Sequence, residues 1–304
     1  GSFFAEVLHL GTVVSRVRRE TALALVLQPV GDANEMKKKG DKKMVLRRNV
    51  VLLGLMGAAG VHAKDDRTGG DPLGSLQWPD LRKQYLGDVP VRFTDEVIVH
   101  TPPFADDAMN VPLQIDARRL ADVGGGIKRI LVVVDRNPVR EVLDFEPMRA
   151  LPMLSFRMRL EQASPVRAMV QTRDGQWHVG SVQAQAAGGG CTVPGATRVD
   201  GSWRSTLNQA QARIFGNVID GSRRLRVRVM HPMDTGLVAG IPAFYIDRLE
   251  LRDAGGELWW RIGLHEPVSE NPLITFELPQ EGPQAFRLQG QDNNGNRIDA
   301  EVKS

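Results

Sequence analysis

The sequence predicts an all-β protein: two antiparallel β-sandwich domains in tandem, with a short N-terminal helix on the first. Three observations predict it. Apolar and polar residues alternate with period two in many short runs. The runs recur roughly every 8–15 residues, the spacing of sandwich strands. The segments between them carry turn chemistry, such as "RDGQ" at 173–176 and "DNNGN" at 292–296. A length of 304 residues suits two domains.

The segment 75–88, "SLQWPDLRKQYLGD", reads as the helix. Pro79 suits an early helical position, and Leu81, Tyr85 and Leu86 can share a face. Strands are expected at 96–100, 111–115, 128–134, 154–160, 166–172 and 177–183. In 154–160, Leu154, Phe156, Met158 and Leu160 point one way, and Ser155, Arg157 and Arg159 the other. A second set lies at 224–230, 245–251, 257–262, 273–278 and 285–290, with Leu225, Val227 and Val229 inward and arginines outward in the first of them. Asn294-Gly295 suits a tight hairpin. The pattern is that of two immunoglobulin-like sandwiches over 70–187 and 206–304, joined by a glycine-containing linker at 188–205.

The start of the chain is different. Lysines between Met36 and Met44, then Arg47-Arg48, precede the apolar run "VVLLGLMGAAGV", which "VHA" closes before "KDD". That basic, apolar, small-residue order predicts a secretory signal peptide over 36–63, by the general or the twin-arginine route, and hence a periplasmic location. The apolar run is about 12 residues, short of the roughly 20 that a membrane span requires. Residues 1–35 read as upstream sequence outside the fold. With 42% hydrophobic and 25% charged residues, the chain can bury a core. A net charge of +3 with 6% aromatic residues, not interleaved with a basic patch, argues against nucleic-acid binding.

Cys191 is the only cysteine, and Gly188, Gly189 and Gly190 precede it. Glycines have no side chain to bury and lose the most entropy on ordering, so the segment reads as a flexible arm presenting an exposed thiol. Such an arm is the wrong mount for a catalytic nucleophile, which needs a base on a rigid scaffold; His178 reads instead as a half-buried strand residue. No catalytic residue is assigned. Histidines at 100, 178, 231 and 265 have no ligand spacing and there is no second cysteine, so no metal or cofactor is expected. The box "HPMDTG" (His231, Pro232, Met233, Asp234, Thr235, Gly236) reads locally as a strand end entering a turn.

The glycine–cysteine arm, "MNVPLQIDARRL" and "IKRILVVVDRNPVREVLDFEP" resemble SoxY; "RVRVMHPMDTG" and "SENPLITFELP" resemble SoxZ. The chain resembles a SoxY–SoxZ fusion of the kind encoded beside quinoprotein (PQQ-dependent) dehydrogenases. The resemblance implies that Cys191 carries sulfur intermediates covalently. It further implies periplasmic redox or hydrolytic enzymes as partners that load and unload the thiol. Two departures matter: Thr192 stands where the family has glycine, and the arm continues into a second domain instead of ending the chain. The alternative to a carrier is a non-covalent adaptor for a periplasmic dehydrogenase.

Overall fold

The computed structural model describes residues 69–216 and 221–303. The segments read from the sequence as upstream residues (1–35) and as a signal peptide (36–63) lie outside the described residues. The N-terminal half contains α1 (Trp78–Leu86) and eight strands: β1 (Val91–Phe93), β2 (Ile98–His100), β3 (Val111–Asp116), β4 (Ile127–Val134), β5 (Glu141–Glu146), β6 (Met153–Met158), β7 (Ser164–Thr172) and β8 (Trp177–Ala184). Two short helices follow, α2 (Ala196–Asp200) and α3 (Trp203–Thr206). The C-terminal half contains β9 (Ala210–Phe215), β10 (Arg223–Val229), β11 (Asp234–Thr235), β12 (Ala243–Phe244), β13 (Ile246–Asp253), β14 (Leu258–Leu264), β15 (Leu273–Leu278), β16 (Phe286–Asp292) and β17 (Arg297–Lys303).

The all-β class and the helix are as the sequence predicts, but the sheets do not stop at the linker. One sheet runs β1-β8-β7-β4-β5-β14-β13-β16-β17, and the other β9-β10-β15-β6-β3-β2. The halves join edge to edge twice, through Ile262 opposite Phe145 and through Phe276 opposite Leu154. A parallel pairing of β17 with β9 links the two sheets. The core is correspondingly shared. Phe145 of β5 lies 5.5 Å from Phe276 of β15, and Trp260 of β14 stacks on Phe276 at 4.1 Å.

Strand β10 follows the expected alternation, with Leu225, Val227 and Val229 buried and Arg226 and Arg228 exposed. Strand β4 does not alternate at its end, because α1 covers the outer face there. Trp78, Leu81 and Leu86 pack on Leu131, Val133, Met169 and Val179. Under that helix Arg167 is fully buried, held by Asp71 at 2.7 Å and Asp135 at 2.9 Å, with Trp78 over its guanidinium. Paired so, a buried charge is tolerated.

Candidate functional site: a glycine arm held between two halves

The linker leaves β8 tied down. Ala187 donates to Ala105 O and Gly190 to Leu160 O, both at 2.9 Å. Of the three glycines only Gly188 is exposed, with φ +79° in open space. Gly189 lies over the Glu161 carboxylate, and a Cβ on Gly190 would run into the carbonyl of Ala108. These glycines permit close approach of the backbone.

The expected exposed thiol is therefore corrected: Cys191 is 1% exposed. Its N–H donates to Glu161 Oε2 at 2.9 Å, and Thr192 Oγ1 donates to Glu161 Oε1 at 3.0 Å. Its carbonyl accepts from Thr235 Oγ1 at 2.6 Å. Arg159, expected on an outward strand face, is buried beneath the arm. Strand β6 ends at Met158, and beyond it Arg159 N–H donates to Pro267 O. Its guanidinium donates to Gly190 O, Val193 O and Met233 O at 3.1, 3.2 and 3.4 Å. Asn137 braces this turn, donating to Arg159 O and accepting from Glu161 N–H. Burial pushes the thiol pKa up to about 12; Glu161 adds to the rise and Arg159 opposes it.

The box at 231–236 forms the other wall. Residues 231–235 are buried, and Gly236, with φ +75°, turns the chain beside Ala243. His231 N–H donates to Asn271 Oδ1, and His231 Nδ1 accepts Met233 N–H. Met233 adopts φ +47°, and its sulfur accepts Ile246 N–H. Pro232 cannot donate, which suits a backbone running between such contacts. Asp234 receives Arg198 of α2, whose guanidinium stacks 4.1 Å from Trp203. Burial holds His231 well below the ordinary histidine range, against the pull of Asp292 at 3.7 Å. Glu270 accepts Thr197 N–H, fixing the far end of the arm.

The arm and the box, separated by some 40 residues in sequence, thus meet at the Thr235–Cys191 hydrogen bond. Glu161, Arg159 and Asn137 escaped the sequence reading. The available signal was chemical: a buried Gly-rich segment must satisfy both its carbonyls and its N–H groups, and a nearby Arg can donate to the first while a nearby Glu accepts from the second. His178 sits on β8, buried, its pKa lowered by burial and by Arg92. Among the described residues no cluster suits a metal, and no helix is long and apolar enough to cross a membrane.

Fold and site define a class: an all-β protein with one thiol on a glycine arm, clasped between two halves. The family model for sulfur oxidation protein SoxY matches residues 82–191, ending on the cysteine, and that for SoxZ matches 217–303. The chain belongs to these families, joined in one polypeptide as a SoxYZ-like fusion of the sulfur-oxidation carrier kind. Among solved structures, the sulfur carrier protein SoxY from Chlorobium limicola f. thiosulfatophilum is 19% identical, with TM-score 0.32. That alignment covers 36% of this chain and 96% of that one. Dimeric latent PorU from Porphyromonas gingivalis is 11% identical, with TM-score 0.25 over 68% of this chain and 19% of that one. This chain thus spans about a fifth of PorU. Among curated proteins none matches.

Proposed function

We propose that Cys191 is the attachment point of a covalent sulfur carrier that cycles between a clasped and a released arm. The observation that carries the reading is the SoxY match ending on the one cysteine of the chain. The clasped state protects the thiol. With a pKa of about 12, about one molecule in 10^5 is thiolate at pH 7. Release breaks hydrogen bonds at Gly190, Cys191 and Thr192, worth about 1.5–3 kcal/mol net for each that involves Arg159 or Glu161 and about 0.5–1.5 kcal/mol for the neutral one from Thr235. A partner that binds only the released arm supplies that free energy. Because Ala187 and Thr197 anchor both ends, the thiol rises about 13 Å at most, four residues from the nearer anchor. That reach suits a partner pressed against the surface, in contrast to a long channel.

The cargo is a thiosulfate-type intermediate. Joining thiosulfate to Cys191 forms a sulfur–sulfur bond from Sγ and releases one proton and two electrons. Periplasmic redox enzymes take the electrons, and hydrolytic enzymes act on the product. Intact mass of protein from the periplasm of thiosulfate-grown cells tests this. A reductant-sensitive adduct, absent after Cys191→Ser, is expected; unmodified protein, or an adduct surviving that replacement, overturns it. The burial of Cys191 favours a second reading, a non-covalent adaptor for a periplasmic quinoprotein dehydrogenase, for which unmodified protein that still supports the dehydrogenase is the expected result.

A further inference from the structure

The outer face of β9, β10 and β17 carries a row of like charges. Lys303 lies opposite Arg213, and Arg213 opposite Arg226, with Arg228 two residues further along β10. Like charges directly opposed across strands destabilise a sheet. Among the described residues none of these four cations has a carboxylate within ion-pair distance, and Glu301 is the only acidic residue beside them. They line a concavity of about 460 Å³ together with Phe215 and Leu273, both 39% exposed. The Arg213 and Arg226 guanidiniums flank the Phe215 ring at 5.4 and 5.3 Å. Arginine with exposed aromatic and aliphatic anchors is the composition of a protein interface. Three strands span about 10 Å, wider than one small oxyanion and suited to several carboxylates. The face also adjoins the clasp: β10 leads from Arg228 into the 231–236 box, and Asn271, two residues before Leu273, bonds His231.

We propose that this face docks an acidic surface of a partner protein. Resting on the carrier reading, the partner is the enzyme that works on the arm. The repulsion between strands is then relieved in the complex, and partner carboxylates are steered toward the side of the molecule where the thiol emerges.

The test places the photo-crosslinking amino acid p-benzoylphenylalanine at Leu273 in the full chain, in its producing cells. The expected cross-link is to an acidic segment of another protein, weakening as salt rises from about 50 to about 500 mM. Arg226→Glu supplies an opposite charge to Arg213, so thermal stability should hold or rise while the cross-link falls at least tenfold. Lys83→Glu with Lys128→Glu, exposed cations of the other half, should leave it unchanged. A cross-link to a second copy, none at all, or one indifferent to Arg226→Glu overturns the proposal. So does stabilisation by about 10 mM sulfate that Arg226→Glu abolishes without any protein cross-link, which would assign the face to a small anion. Cys191→Ser should keep the cross-link. A cross-link without a Cys191 adduct in the wild type defeats the carrier reading alone, and an adduct without a cross-link defeats the docking face alone.

Discussion

The carboxylate of Glu161 accepts the Cys191 N–H and the Thr192 hydroxyl, and its charge also opposes ionisation of the thiol. Its removal therefore acts on reactivity twice. Glu161→Gln keeps an acceptor at one oxygen and deletes the charge, so the thiol should react with a disulfide reagent at least about tenfold faster at pH 8. The wild type should react far more slowly than a free peptide thiol with a pKa near 8.5. Equal rates for variant and wild type would show that Glu161 does not govern the thiol. Thr235→Val removes the hydroxyl that holds the Cys191 carbonyl and leaves the shape. It should raise reactivity too, with a loss of about 1–3 kcal/mol if that buried carbonyl stays unpaired. The cysteine and its glycines were legible in the sequence. The clasp was not, because Glu161 and Thr235 act through one backbone unit and carry no spacing signature.

At the scale of elements the same three glycines differ. Gly190→Ala forces a methyl into the Ala108 carbonyl, whereas Gly188→Ala meets open space and strains only its own φ of +79°. Gly190→Ala should therefore free the arm, raising both thiol reactivity and proteolysis within 186–196; Gly188→Ala should do much less. Equal behaviour of the two would favour flexibility over close packing as the reason for the glycines. The alternating strands β3 and β10 were legible because each buries one face. Strands β1, β5, β9 and β17 were not singled out, nor were the two-residue β11 and β12: β1 is three residues long, β5 buries Val142 and Leu143 in succession and so breaks the alternation, β9 is rich in small residues, and β17 keeps only Ile298 and Val302 buried. The outward assignment of Arg159 failed where β6 stops, since period two holds only while the strand continues.

Across the whole molecule, pairing of β5 with β14 and of β6 with β15 makes the halves one core, a register between distant segments that no local pattern announces. A protease site inserted after Gly201 and cut should therefore leave the halves together on size exclusion, and Phe276→Ala should cost about 3–5 kcal/mol and loosen them. An ion pair at this seam gives their stability a pH dependence. Burial opposes the charge of His265, yet the Glu141 carboxylate 3.1 Å away outweighs it and raises the histidine's pKa. A group whose pKa is higher folded than unfolded contributes stability that is full below about 6.5 and is lost as pH rises through the folded value. His231 has the opposite sign: buried and neutral, it makes the unfolded state the better proton binder and weakens the fold as pH falls below about 6.5. The difference between wild type and His265→Gln removes the His231 contribution. That difference should be about 0.5–1 kcal/mol at pH 6, the scale of a partly exposed pair, and should shrink toward zero by pH 9 in urea denaturation. A difference constant across that range would mean that His265 contributes by packing alone and that the Glu141 pair does not hold the seam.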